Sequence, residues 1–433
     1  MSIYQQRRND LLSSIEQDSV VILVGNTEKV RNKNILFPFR QDHDFYYLTG
    51  YAEPDAVAIL RPNCDKPFVI FNQPKDDFQE VWFAARTGQQ GAIEQYDADE
   101  AFEIALFNEK IHQLLGNRKH IYISDELGRF HNQVFQWLDG QRKGAKFDEI
   151  KIFKQLHSVL SFIHQKRRVK DPHELALIKQ AVGASVSAHQ QVMKATQSGI
   201  TEHELAAIFN QHASKFGCQD VGYPSIVATG NNACCLHYSQ NTATLKPGEM
   251  LLIDAGADYQ YYTADITRTY PVSGKFSGAQ RDIYQLVLNA LDSAIETVKP
   301  GGNWHDIYPT AMKELAIGLH DLKILNASVD EIIEKQLHQQ FSLHKTGHWL
   351  GMDVHDVGSY HQSDGQGIRL VPNMVFTIEP GLYFPSHCEL VDPKFRGMGI
   401  RLEDDILVTD TGYENLSVEL PRTISDVEEF MRD

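Results

Sequence analysis

Four carboxylates and three closely spaced histidines carry the chemical interest of this 433-residue chain. Asp254 ends the apolar run MLLID, and Asp265 follows eleven residues later inside YYTADITRTY. Glu379 ends MVFTIE and is followed by Pro380-Gly381; Glu403 lies in GIRLEDDILV, sharing a face with Arg401 while Leu402 points the other way. Such runs read as buried strands. A carboxylate buried without compensation is costly, and four by accident are improbable. One shared cationic centre relieves the cost for all four.

Asp254 and Asp265 fit opposite strands of a hairpin. A loop centred on Tyr259-Gln260 places them face to face, with Cβ atoms roughly 4.5–5.5 Å apart. A bulge at Gly256 would change that register. Two carboxylates so placed either share a proton or hold a cation between them; the alternative is a pair of exposed edge acids.

A nitrogen ligand is available in SLHKTGHWLGMDVHDVG, which holds His344, His348 and His355. The spacing of His344 and His348 matches HExxH, but Lys345 replaces the required Glu and Gly347 weakens a helix, so a zincin helix is rejected. One imidazole with four carboxylates, and no thiolate, is a hard donor set. It suits Mn²⁺, with Co²⁺, Zn²⁺ or Fe²⁺ as alternatives. Two divalent ions balance four carboxylates, and an ion pair about 3.5–4 Å apart activates a shared water, so hydrolysis is the expected chemistry.

Composition narrows the field. Apolar content of 42% and charged content of 23% are those of a globular protein. A formal net charge of −16 excludes a nucleic-acid backbone as partner. No window approaches the roughly 20 apolar residues of a membrane span. MSIYQQRRNDLLSSIEQ has no secretory core, and the five scattered cysteines suit reduced thiols, so a cytoplasmic location is expected.

These residues must be positioned by two domains, 1–165 and 166–433. In the first, residues 20–25, 56–60 and 67–71 read as strands and 101–115 as a helix, giving an α/β domain with a mostly parallel sheet and no glycine-rich phosphate loop. The basic run Lys166–Lys170 reads as a solvated linker. Asp171-Pro172-His173-Glu174 then starts a helix with a cap, an N1 proline and a capping box. The second domain is expected to be α+β. Residues 199–205 (GITEHEL) and 301–307 (GGNWHDI) share Gly, a cap residue, His, an acid and an apolar residue in order, so they are either two ordinary helix starts or the mark of two related halves.

The ordered set Asp254, Asp265, His348, Glu379, Glu403 resembles the ligands of the dinuclear pita-bread metallopeptidases: methionine aminopeptidase, prolidase and aminopeptidase P. Leu236-His-Tyr238, Ile253-Asp-Ala-Gly256, Asp265-Ile-Thr-Arg-Thr269, Gly347-His-Trp-Leu-Gly351, Val354-His-Asp356, Ile378-Glu-Pro-Gly-Leu-Tyr383 and Gly399-Ile-Arg-Leu-Glu-Asp-Asp405 are similar to the aminopeptidase P family in particular. FRQDHDFYYLTG (39–50) and Val81-Trp-Phe83 resemble that family's N-terminal domain, which methionine aminopeptidase lacks. Lys345-Thr346-Gly347 departs from the family's Gly and Ser before the histidine, without touching a ligand.

The resemblance implies a C-terminal pita-bread domain: a curved antiparallel sheet, in pseudo-two-fold halves, backed by helices. It implies that Asp254 chelates one metal, that His348 and Glu379 bind the other, and that Asp265 and Glu403 bridge them. A hydroxide held between the metals attacks the scissile carbonyl, Glu379 moves its proton, and His237 and His355 hydrogen-bond substrate or tetrahedral intermediate. His344 lines the pocket and Arg401 pairs with a nearby carboxylate, most simply Asp254. Tyr383 supports the peptide or joins the same network. Trp82 approaches a neighbouring subunit's pocket or is a local core aromatic. The implied reaction releases the first residue of peptides with proline second, in a homodimer or homotetramer. The rivals are prolidase, confined to dipeptides, and an inactive peptide-binding module on the same fold.

Overall fold

The computed structural model describes residues 1–124 and 155–432. They form two compact units, Met1–His164 and Gln165–Asp433.

The N-terminal unit is built on a six-stranded sheet in the spatial order Glu100–Glu103, Phe68–Asn72, Val57–Leu60, Ser19–Val24, His120–Ser124, Gln155–Ser158. The three runs expected as strands are strands, all buried. The sheet is mixed, less parallel than expected. Val57–Leu60 pairs antiparallel with both Ser19–Val24 and Phe68–Asn72, and the three outer ladders are parallel. The short link between Leu60 and Phe68 explains the pairing of Val57–Leu60 with Phe68–Asn72, since a parallel return needs a crossover of a dozen or more residues. The expected helix over 101–115 begins later, at Phe107, because Glu100–Glu103 is claimed by the sheet. Phe107, Ile111, Leu114 and Leu115 form its buried face.

The C-terminal unit opens with the helix Pro172–Ala195. Asp171 caps it, with Glu174 closing the capping box, a device contributing about 1 kcal/mol. A second helix, Glu202–Ser214, packs against it, and strands Ile226–Thr229, Met250–Asp254 and Thr267–Pro271 follow as an antiparallel sheet. The pattern then repeats. Helices Gly278–Glu296 and Ile307–Asp321 pack together, followed by antiparallel strands Val375–Ile378, Gly381–Phe384, Met398–Arg401 and Asp404–Val408.

The two similar sequence stretches make the same hydrogen bonds. Gly199 N donates to Leu245 O at 3.0 Å, Leu245 N to Ile200 O at 2.9 Å and Glu202 N to Ala243 O at 3.0 Å. In the second half, Gly301 N donates to Leu370 O at 2.8 Å, Leu370 N to Gly302 O at 2.8 Å and Trp304 N to Ile368 O at 2.9 Å. The unit therefore consists of two related halves. They join where Glu403 N donates to Thr267 O (3.1 Å) and Thr269 Oγ1 donates to Arg401 O (2.8 Å).

Candidate metal centre

Each half places its acids at the middle of a hairpin. In the first, Asp254 pairs with Thr267, and pairing resumes at Asp258–Thr263. In the second, Ile378 pairs with Asp404 and pairing resumes at Gly381–Arg401, which puts Glu403 opposite Glu379. Regular strand structure lapses between these points in both hairpins. The expected face-to-face register of Asp254 and Asp265 is therefore corrected. The turn is centred one residue later, at Gln260-Tyr261, and Asp265 lies opposite Gly256. A Cβ on Gly256 would fall 1.7 Å from Ala264 O, so only glycine admits this approach. Helix Pro172–Ala195 satisfies the backbone freed at the lapse. His189 Nε2 donates to Ala255 O (2.9 Å), and Ala257 N donates to Ser185 Oγ (2.8 Å).

The two aspartates nevertheless converge, through a residue the sequence did not single out. The Tyr223 hydroxyl bonds Asp254 Oδ1 at 2.6 Å and also reaches Asp265 Oδ1. His348 Nε2 lies 3.3 Å from Asp265 Oδ2 and 3.4 Å from Glu379 Oε1. Donor atoms of Asp265, His348 and Glu403 all fall within 4.8 Å of one another. Glu403 Oε2 accepts from Thr267 Oγ1 at 2.7 Å. Arg401 Nη2 donates to Asp254 Oδ2 at 2.6 Å.

Electrostatics say what this arrangement needs. Burial first, then neighbouring carboxylates, lifts Asp265 and Glu403 above the usual carboxylate range, Glu403 far above it. Burial and the same neighbours lift Glu379 to about 7. Among the described residues lining the cavity, only Arg401 and Lys345 carry permanent positive charge, against four carboxylates. The missing charge is positive. His348 is oriented to ligate: its Nδ1–H donates to Trp349 O at 3.0 Å, which turns Nε2 towards the acids. The donor set fits divalent metal, the carboxylates outnumbering what one ion neutralises.

A family model for metallopeptidase family M24 matches residues 176–410, and one for the aminopeptidase P N-terminal domain matches residues 4–122. The chain belongs to metallopeptidase family M24. It is 35% identical over 431 residues to the Xaa-Pro aminopeptidase of Escherichia coli K12, covering 99% of this chain and 97% of that one. To the Xaa-Pro aminopeptidase of Haemophilus influenzae it is 37% identical, covering 99% and 96%. Among solved structures, aminopeptidase PepP of Pseudomonas aeruginosa superposes with a TM-score of 0.96 at 36% identity, covering 99% and 97%. Zinc-substituted E. coli aminopeptidase P in complex with product superposes at 0.95 and 34% identity, covering 100% and 98%.

Around its metal centre this M24 chain forms a cavity of about 1240 Å³ lined by His237, His344, His348, His355, Glu379, Arg401 and the other three acids, all within the C-terminal unit. His344 Nδ1 donates to Lys345 O (2.8 Å), so its Nε2 accepts from the Tyr383 hydroxyl (2.7 Å), which in turn accepts from Arg401 Nη1 (2.9 Å). Burial, and then the Arg401 charge, pushes His344 down to about 4, so it is neutral. Tyr383 is only 1% exposed and does not line the cavity. Of its two expected roles, the structure places it in the hydrogen-bond network, its hydroxyl lying between His344 and Arg401. Trp82 ends the helix Asp77–Trp82 of the N-terminal unit and is 70% exposed, so it is no core aromatic.

His237 lies on the exposed turn after Gly230–Cys234. Its loop is tied to buried Glu202, which accepts from Thr229 N (2.8 Å), Asn232 Nδ2 (3.0 Å), Tyr238 Oη (2.8 Å) and Ala243 N (2.9 Å). His355 meets His348 edge-on, with ring centroids 4.4 Å apart. Tyr223, Thr267 and Glu202 escaped the sequence reading because single hydroxyls and a helix-start acid carry no pattern. Only the position of Glu202, just after a cap, hinted at anything, and that hint was of a helix.

Proposed function

We propose that the protein is an Xaa-Pro aminopeptidase that uses two divalent ions, Mn²⁺ by preference, to release the first residue of peptides whose second residue is proline. The observation that carries this reading is the convergence of Asp254, Asp265, His348, Glu379 and Glu403 on one buried centre, in a chain similar over nearly its whole length to Xaa-Pro aminopeptidases. In this reading Asp254, Asp265, His348, Glu379 and Glu403 would hold the ions between them.

When bound, the ions polarise the scissile carbonyl and lower the pKa of a water they share. Glu379 accepts a proton on a carboxylate oxygen and returns it to the leaving nitrogen. That nitrogen belongs to a tertiary amide with no hydrogen of its own, so a placed proton donor is essential. His237 and His355 face the cavity and hydrogen-bond the carbonyl oxygen as charge develops on it. Arg401 neutralises Asp254 and, through Tyr383, fixes the tautomer of His344.

The cavity exceeds the ~300–1,000 Å³ of an ordinary small-molecule pocket. That room supports peptides longer than the dipeptides of a prolidase. All five ligand positions are filled, which supports an enzyme over an inactive binding module. The exposed run Phe78, Val81, Trp82, Phe83 supports a homodimer or homotetramer with Trp82 at a neighbouring pocket. No helix among the described residues is long and apolar enough to cross a membrane, and the reading keeps the enzyme in the cytoplasm. The deciding assay compares Xaa-Pro dipeptides with Xaa-Pro-Yaa tripeptides and longer peptides in Mn²⁺. Release of the first residue from the longer peptides is expected; cleavage of dipeptides alone would make the enzyme a prolidase.

A further inference from the structure

The basic run Lys166–Lys170 is not a solvated linker. Arg167 and Lys170 are each 2% exposed. Both serve one buried carboxylate, Asp356. Arg167 Nη2 donates to Asp356 Oδ1 at 2.6 Å, and Lys170 Nζ donates to Asp356 Oδ2 at 2.8 Å. Lys170 Nζ also donates to Arg167 O at 2.6 Å, and Arg167 reaches the half-exposed Asp353 at 2.7 Å. The loop closes tightly around this carboxylate: a Cβ on Gly351 would fall 2.1 Å from Asp356 Oδ2. Asp356 N donates to Trp349 O at 2.8 Å, and Gly351 O accepts from Thr263 N at 3.0 Å.

Asp356 follows His355 directly. The His355 side chain is exposed to the cavity, and among the described residues no side-chain hydrogen bond fixes its ring. Its position is therefore set by the backbone that carries it, and that backbone is pinned one residue away by two cations.

We propose that Arg167, Lys170 and Asp356 are positioning residues that hold His355 at the reacting carbonyl. This rests on the reading in which His355 contacts the substrate. Two opposed charges on one carboxylate resist displacement in every direction, whereas an exposed ion pair would not. A catalytic group misplaced by about 1 Å loses up to about a hundredfold in rate.

The test is a double-mutant cycle in the full-length, metal-loaded protein, comparing Lys170→Met, His355→Ala and the double variant. Lys170→Met is expected to lower kcat about ten- to a hundredfold, with KM within about twofold and metal content unchanged. Lys170→Arg is expected to restore most of the loss. In the His355→Ala background, Lys170→Met should cost less than about a further twofold. Additive losses, or a wild-type kcat in Lys170→Met, would overturn the proposal. A wild-type kcat in His355→Ala would instead remove His355 from the mechanism, and the positioning role with it. If Lys170→Met does not melt cooperatively, Asp353→Asn loosens only the exposed end of the cluster and enters the same cycle, with a smaller but still non-additive loss expected.

Discussion

Arg401 grips Asp254 at 2.6 Å from the opposite hairpin, with both side chains largely removed from water. The same guanidinium donates to Thr267 Oγ1 (3.2 Å) and to the Tyr383 hydroxyl (2.9 Å). One planar fork thus serves three partners, a task an ammonium cannot copy. Arg401→Ala is expected to lower activity or metal affinity about ten- to a hundredfold. Arg401→Lys should recover only part of it. Steady-state kinetics with metal analysis reads this out, and an alanine variant within twofold of wild type would refute the role.

Glu379→Gln keeps the shape of the side chain and removes its basicity. A fall in kcat of about 10²–10⁴-fold is expected, with peptide binding retained when measured by calorimetry. Loss of binding together with kcat would point to a collapsed site instead.

The Tyr223 hydroxyl relieves the repulsion between Asp254 and Asp265. Bound cations do the same work better, so Tyr223→Phe should matter most without them. A loss of about 1.5–3 kcal/mol, the worth of a hydrogen bond to a charged group, is expected for the metal-free protein. A clearly smaller shift is expected with Mn²⁺ present. Melting curves with and without EDTA give the comparison, and equal shifts would contradict it.

Chelation itself should abolish hydrolysis and lower the melting temperature, because ligand bound only to the folded state stabilises it. Added Mn²⁺ should restore both. Activity persisting in protein shown to be metal-free would end the hydrolytic reading.

His189 supplies a pH prediction. Burial holds it down at about 4, against an ordinary value near 6.5. The unfolded chain therefore binds the extra proton first. The stability that neutral His189 confers is complete above about pH 6.5 and is lost as pH falls towards 4, by at most ~3 kcal/mol. The melting-temperature gap between wild type and His189→Gln should narrow from pH 7 to pH 5. A gap independent of pH would show that His189 does not titrate in this way.

The gathering of the four acids was legible in the sequence because each ends or interrupts an apolar run, where a lone carboxylate makes no sense. Register was not legible, since a lapse in strand pairing at Gly256 has no signature beyond the glycine itself. Lys166–Lys170 misled because composition reports charge and not depth, and its buried partner Asp356 lies far along the chain. Tyr383 was recognised as part of the site with two roles left open, for motifs name residues without saying which way they face; its hydroxyl joins the network of His344 and Arg401.

The matched hairpins have diverged where it counts. Asp254 and Glu379 are counterparts, but Thr267 stands where the other half has Glu403, and Arg401 stands where the first has Asp265. Neither half carries all five of the proposed ligands. A chain severed between Pro271 and Gly278 would yield two fragments, each inert, whose reunion alone could create a place for the ions.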